Sequence, residues 1–281
     1  MPSDYNFTDL MVSIQKEELE KAISLIPREA GKRNIFNKTA LMYATERNYT
    51  EIVKLLIPYE AGLQDNFGMS ALMYAVIKGN LECVKLLVDK ESGLRDKDYH
   101  FALDLAVNKG NLECVKFLIP YEASIPPGFR YCSALIRTLE YIQNNGNLEI
   151  ALEMAKLLIP YQARWKFRNI TALMLAAERG YTEMVKLLMD KESGKKGLHD
   201  RTALMRAAIK GHHECVELLV DKESGIKNNR GWTAFMYAVR HNNYECAKIL
   251  YPMEIDKSNI PCLKALIDKY KVKKEIADLL I

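Results

Sequence analysis

Cysteine and histidine are the side chains best suited to metal binding or nucleophilic chemistry, and this 281-residue sequence holds six of the first and five of the second. Four cysteines, Cys83, Cys114, Cys215 and Cys246, each stand thirteen residues after a recurring tripeptide, and Ile52 and Met184 take the same slot elsewhere. That slot asks for a medium apolar side chain, which an unreactive thiol supplies. Stacked repeats about 8–10 Å apart hold successive thiols beyond the roughly 7 Å reach of a disulfide. The short Cys/His spacings of a zinc site are missing. The thiols therefore read as core residues of a protein in the reducing cytoplasm. Among His100, His199, His212, His213 and His241, His100 stands four residues before Asp104, a spacing that allows a local pair. No His-Glu-x-x-His, phosphate-cradling Gly-x-x-x-x-Gly-Lys or protein-kinase motif set occurs. A triad assembled from distant repeats stays open on sequence order alone. The motifs point to no enzyme, metal or cofactor.

The elements that position these residues are repeats. Thr39-Ala40-Leu41 recurs as Ser70-Ala71-Leu72, Phe101-Ala102-Leu103, Ser133-Ala134-Leu135, Thr171-Ala172-Leu173, Thr202-Ala203-Leu204 and Thr233-Ala234-Phe235. The steps are 31, 31, 32, 38, 31 and 31 residues. Degenerate copies at Thr8-Asp9-Leu10 and Lys264-Ala265-Leu266 make nine units, starting near 8, 39, 70, 101, 133, 171, 202, 233 and 264. They form a single array over 1–281, with the 133–170 unit enlarged. Such a period predicts an all-α solenoid in which each unit buries its apolar face on its neighbours.

Each unit carries two helical patterns. Ala71, Leu72 and Ala75 stripe a short first helix that stops at Gly79-Asn80. Glu82 opens a second helix containing Val84, Leu86, Leu87 and Val88. Asp89 to Gly93 reads as a polar break, and the proline of Ile57–Glu60 and Ile119–Glu122 as a helix stop. Two residues before the anchor stand Asn37, Gly68, Asn169, Asp200 or Gly231, types that tolerate a left-handed backbone.

Helix, glycine turn, helix and β-turn finger with a Thr-x-Leu anchor resemble the ankyrin repeat. Glu51-Ile52-Val53-Lys54-Leu55-Leu56 matches a signature of that family, and Gly211-His212 with Glu214 to Leu219 is close to it. Three features depart from the pattern. The period is 31 rather than 33, which shortens the fingers. The proline after the anchor threonine is alanine. The histidine that follows is Met42, Met73, Met174, Met205 or Met236, with Asp104 and Ile136 in the other two units. Flexible methionine packing then replaces the Thr–His hydrogen bond. This variant resembles the ankyrin-only proteins expanded in some protists, and similar arrays occur joined to serine/threonine kinase domains.

The 133–170 unit needs 23 residues from Ser133 to Lys156, where Ser70 to Lys85 takes 15. The spacing assigns four added residues to each helix, about one turn apiece. Thr138–Tyr141 fall in the first added turn and Ile150–Glu153 in the second, so this hairpin is expected to project by roughly 5–6 Å.

Composition bounds the function. The 49% hydrophobic and 27% charged content excludes a disordered chain. No run of eighteen apolar residues occurs, so membrane insertion is not expected. Met1–Leu10 lacks a secretory signal pattern, so the sequons at Asn6, Asn37, Asn48 and Asn169 are expected to stay unglycosylated. A net charge of +4 is too small to require nucleic acid. Along the expected concave face, the fourth residue after each anchor is Tyr43, Tyr74, Leu105, Arg137, Leu175, Arg206 or Tyr237. The eighth is Arg47, Lys78, Lys109, Arg179, Lys210 or His241, with Arg240 beside the last. An aromatic-to-aliphatic row beside a basic row fits a monomeric interaction module or scaffold that binds another protein, an acidic segment being one candidate. Lysine and arginine in a last helical turn also simply offset the helix dipole. Two alternatives remain: a targeting or regulatory partner of a kinase-type assembly, and an RNA or acidic-polymer binder using the basic row.

Overall fold

A computed structural model describes residues 6–127, 132–144, 146–163, 165–255 and 273–278. Among them are seventeen α-helices, a 3-10 turn at Leu198–Asp200, and no strand beyond an isolated bridge between Phe167 and Ile170. The chain divides into two compact units. Unit 1 comprises Met1–Pro127 and Glu140–Tyr161, and unit 2 comprises Gly128–Leu139 and Gln162–Ile281.

Unit 1 stacks four helix pairs: α1 (Asp9–Gln15) with α2 (Leu19–Glu29), α3 (Ala40–Glu46) with α4 (Thr50–Glu60), α5 (Ala71–Lys78) with α6 (Leu81–Glu91), and α7 (Ala102–Lys109) with α8 (Leu112–Glu122). Unit 2 stacks three: α11 (Ala172–Arg179) with α12 (Thr182–Glu192), α13 (Ala203–Lys210) with α14 (His213–Glu223), and α15 (Ala234–Arg240) with α16 (Tyr244–Glu254). The short α17 (Lys274–Ala277) packs on α16. The division between units runs through α9 (Ala134–Gln143) and the end of α10 (Leu148–Gln162). The expected last repeat, near 264, lies almost wholly outside the described residues.

Local chemistry explains the first helices. The anchor hydroxyls of Ser70, Thr171 and Thr202 accept the amide hydrogens of Met73, Met174 and Met205, which caps a helix start. Left-handed glycines, Gly79 among them, end these helices. The methionines at the family's histidine position are buried, and so are Cys83, Cys114, Cys215 and Cys246. The five residues singled out before the anchors all have positive φ, from 58° to 76°. Tyr99, at the same position, does too, at 63°.

The second helices correct the sequence reading. Pro27, Pro58, Pro120, Pro160 and Pro252 lie inside helices rather than ending them. Each proline is exposed, as is the residue four before it, so the carbonyl that loses its partner sits on the solvent side. The polar "break" is helical in its first part, Asp89–Glu91, and turns only at Ser92-Gly93, and its glutamate is core. Glu60, Glu91, Glu122, Glu192, Glu223 and Glu254 are buried at the ends of their helices. Glu91 accepts Leu72 N–H at 2.7 Å and Gly62 N–H, in the preceding repeat, at 3.0 Å. Glu60, Glu122, Glu223 and Glu254 repeat this double acceptance. Each carboxylate satisfies an orphan amide of its own first helix and ties it to the repeat before. In the enlarged unit Gln162 serves Leu135 N–H.

That unit also grows differently than expected. The first helix gains two residues (ten in α9 against eight in α5), the connection two more, and the second helix four (fifteen in α10 against eleven in α6). Thr138 stays inside α9, buried, with its hydroxyl donating to Leu135 O at 2.6 Å. This back-bond competes with helix extension, and the Asn-rich Asn144–Asn147 stretch then favours a turn.

Candidate functional site

The first-helix rows expected to bind a partner are built differently in the two units. In unit 1 the fourth-position residues Tyr43, Tyr74 and Leu105 are half-buried, and the eighth-position Arg47, Lys78 and Lys109 are exposed. The tyrosine hydroxyls are already engaged by the fingers. Asn34 Nδ2 donates to Tyr43 Oη at 3.0 Å, and Tyr74 Oη donates to Asp65 Oδ2 at 2.6 Å. Burial, then the Asp65 carboxylate, pushes the Tyr74 hydroxyl well above the usual tyrosine range. Asp65 Oδ1 meanwhile holds its own turn by accepting Phe67 N–H and Met69 N–H. Each tyrosine thus latches a finger onto the helix that follows. Lys38 lies over both rings, 4.7 Å from the centroid of Tyr43 and 4.1 Å from that of Tyr74.

In unit 2, Leu175 and Arg179 are half-buried and Lys210 and His241 exposed, but Arg137, Arg206 and Tyr237 are buried. This corrects the expectation that the tyrosine row is accessible throughout: Tyr237 is 3% exposed. Its hydroxyl accepts from Asn228 Nδ2 at 2.8 Å and from Arg201 Nε at 3.1 Å, and Trp232 packs on its ring at 5.2 Å. Arg240 lies 5.4 Å over Trp232. Arg206 pairs with Glu178, and Arg179 donates to Leu139 O at 3.0 Å. Burial, then the cations Arg240, Arg201 and Lys210, lowers the His241 pKa.

The expected His100–Asp104 pair does not form. Asp104 accepts Phe101 N–H to cap α7, and His100 Nδ1 faces Asp96 Oδ2 at 2.9 Å. Asp96 Oδ1 also takes His100 N–H at 2.7 Å, so Asp96, Asp98 and His100 form a turn-building cluster. Burial pushes the Cys83, Cys114 and Cys246 thiols up to about 11, and Cys215 in the same direction. Those thiols are protonated near neutral pH and are poor nucleophiles.

Sequence reasoning missed a stitch along the finger bases. Arg33 donates to Gln64 O, Gln64 to Arg95 O at 2.8 Å, and Arg95 to Pro126 O at 2.9 Å. In unit 2, Lys166 Nζ donates to Lys196 O at 2.9 Å and Lys196 Nζ to Lys227 O at 3.0 Å. The signal was available, since Arg33, Gln64 and Arg95 are 31 apart, as are Lys196 and Lys227. Different side chains fill the position, so no motif advertises it.

Charge separates the units. Unit 1 holds sixteen Lys and Arg against twenty-one Asp and Glu, and unit 2 twenty-four against fifteen. Within the three helix pairs of unit 2 the two sides carry opposite charge. Helices α11, α13 and α15 with finger segments 165–170, 194–201 and 225–232 carry eleven basic and two acidic residues. The second helices α12, α14 and α16 carry four basic and nine acidic.

These features define a repeat solenoid of helix pairs with an exposed finger side. The family model for ankyrin repeats (3 copies) matches residues 10–98, 41–128, 103–196, 141–226 and 193–260, and the chain belongs to the ankyrin-repeat family. Ankyrin repeats are general protein–protein interaction modules, typically non-enzymatic. Among solved structures, the fold is similar to EF0377, an ankyrin repeat protein, with a TM-score of 0.56 and 23% identity over 65% of this chain and 97% of that one. It is also similar to the ankyrin repeat domain of Bcl-3, described as a unique member of the IkappaB protein family. That match has a TM-score of 0.50 and 19% identity over 88% of this chain and 100% of that one. No curated protein matches the chain in sequence. No helix among the described residues is long and apolar enough to cross a membrane.

Proposed function

We propose that the chain is a non-enzymatic interaction module or scaffold, one array over 1–281, that binds a segment of a partner protein on its concave, first-helix face. The observation carrying this reading is the half-buried row Tyr43, Tyr74 and Leu105 beside the exposed Arg47, Lys78 and Lys109. In unit 2 the corresponding contacts are Leu175, Arg179, Lys210 and Arg240, while Arg206 and Tyr237 support them from beneath. Buried apolar ring faces supply the desolvated contacts of an interface, and exposed cations steer encounter. The buried thiols suit a reducing, cytoplasmic setting and a monomer without intermolecular disulfides.

Pulldown with mass spectrometry identifies the partner, and binding kinetics then test the face. Lys78→Glu with Lys109→Glu slows association and weakens its dependence on salt. Leu105→Ala mainly speeds dissociation. Because the tyrosine hydroxyls hold fingers in place, Tyr43→Phe and Tyr74→Phe are the controls for fold. A partner that binds both the charge-reversal and the Leu105→Ala variants with wild-type kinetics removes this reading.

A further inference from the structure

We infer that the finger side of unit 2 is a docking surface for an acidic protein segment, with Lys166, Lys196 and Lys227 as its contact row. This rests on the reading of the chain as a protein-interaction module and deepens it for unit 2. Five second-helix lysines are neutralised locally: Lys54, Lys85, Lys116, Lys156 and Lys186 each pair with a glutamate three residues earlier, at 2.6–2.7 Å. The finger lysines are treated in the opposite way. The stitch lines up three like charges from finger to finger: the Lys166 and Lys196 ammoniums are each tied to the backbone of the next lysine in the row, and Lys227 ends it. Among the described residues no carboxylate pairs with Lys166, Lys196, Lys227 or Arg230.

The same stitch in unit 1 shows that charge is not needed for the structural task. Gln64 makes it with a neutral amide. Acidic Asp65, Asp96 and Asp98 stand in the unit 1 fingers, whereas Asp200 is the lone acid in the three unit 2 segments. Concentrated positive charge raises the free energy of the unbound surface and favours an anionic occupant.

The surface fits carboxylates better than bases. Nucleic-acid surfaces offer open aromatic faces for stacking. Here Phe167, Trp232 and Tyr237 already carry Arg168, Arg240 and Arg201 over their rings, at 5.1–5.4 Å. What this side presents is cationic hydrogen-bond donors, the complement of an aspartate- or glutamate-rich chain.

The test measures fluorescence anisotropy of labelled decaglutamate, and of labelled decauridylate, against the full chain. The variant is Lys166→Gln, Lys196→Gln, Lys227→Gln, which keeps the stitch as Gln64 does. We expect decaglutamate to bind the wild type and to bind the triple variant about tenfold more weakly, with unchanged helicity and thermal midpoint. Arg33→Gln with Arg95→Gln in unit 1 should leave the affinity within about twofold. Three results overturn the inference: no binding of decaglutamate, equal binding by the triple variant, and tighter binding of decauridylate, which makes the surface a nucleic-acid site. A captured partner that loses affinity with Lys78→Glu and Lys109→Glu but not with the lysine-to-glutamine triple also overturns it, while leaving the first-helix reading intact.

Discussion

Unit 1 exposes eleven of the fourteen large apolar side chains that stand clear of the core among the described residues, from Leu19 to Tyr161. Unit 2 exposes only Leu198, Tyr244 and Met253. Charge runs the other way: unit 1 is net acidic and unit 2 strongly basic on its finger side. Yet the buried positions of the two units match. Leucine and methionine in the first helix, a medium apolar slot in the second and a carboxylate at its end recur in both. A repeat array fixes the residues that join neighbours and leaves the finger side free to vary. One fold thereby presents two surfaces that suit different chemistry.

The largest effect should come from what the units share. Glu91→Ala in unit 1 and Glu223→Ala in unit 2 each strand two amides, those of Gly62 and Leu72 or of Gly194 and Leu204. A buried donor without a partner costs about 1–3 kcal/mol. Each variant should lose about 3–5 kcal/mol in urea denaturation followed by circular dichroism, and the glutamine variants about half as much. Losses differing by more than about 2 kcal/mol between units would mean the clamp is not common to both.

Next is the pH response, where the units should part. Burial raises Glu122 to about 7 and moves Glu60, Glu91, Glu223 and Glu254 in the same direction. A carboxyl with a folded pKa above its unfolded value near 4.5 binds its proton more tightly when folded. Its contribution is full below about 4.5 and is lost as pH rises through the folded pKa, about 7 for Glu122. For Glu122 the ceiling is about 3 kcal/mol. His241 has the opposite sign: its folded pKa is lowered, so its contribution is lost as pH falls below 6.5. Acidification from pH 7.5 to 5.5 should therefore increase amide-exchange protection, corrected for intrinsic rates, more in α5–α8 than in α13–α16. Equal gains, or a loss of protection in α5–α8, would contradict these carboxyl shifts.

The residues that set these effects differ in how legible they were. The anchor period located the helix pairs among the described residues, because each first helix starts one residue after its anchor, and it placed the four core cysteines. The clamp glutamates were misread, since a carboxylate beside Lys90 and Ser92 has the composition of a loop. Only the two amides that converge on it show why it is buried. For the same reason proline at Pro58 looked like a stop, although it sits where the lost hydrogen bond faces water. The tyrosine row was visible at its spacing, but its latch was not. Tyr43, Tyr74 and Tyr237 each reach a finger residue nine positions earlier, Asn34, Asp65 or Asn228. That distance belongs to neither helix nor strand periodicity.

The latch gives a smaller contrast. Tyr74→Phe removes a hydrogen bond to a carboxylate, worth about 1.5–3 kcal/mol, while Tyr237→Phe removes bonds from Asn228 and Arg201 in a fully buried setting. Both should destabilise by about 1–3 kcal/mol in thermal melts, with partner binding nearly unchanged for Tyr237→Phe, whose ring is covered. A Tyr237→Phe variant that lost affinity at unchanged stability would return the buried tyrosine to the binding face.

The smallest effect tests how far a finger tolerates the wrong residue. Tyr99 holds φ at 63° in unit 1, where unit 2 places Asn169 at 62° and Gly231 at 75°. A left-handed backbone costs an ordinary L-residue about 1–2 kcal/mol, and asparagine bears it more easily because its amide bonds the local turn. Tyr99 is half exposed at 48%, so its ring recovers only part of that cost by burial. Tyr99→Asn should therefore stabilise the chain by about 0.5–1 kcal/mol. Asn169→Tyr should cost slightly more than that, because Lys166 Nζ also donates to Asn169 Oδ1, at 3.3 Å and exposed. Thermal midpoints that move in opposite directions in the two variants would make backbone strain the governing term at this position. A loss of stability in Tyr99→Asn would instead assign the position to the tyrosine ring, and this one finger would then owe its order to side-chain packing where Asn37, Gly68, Asn169 and Gly231 serve the others.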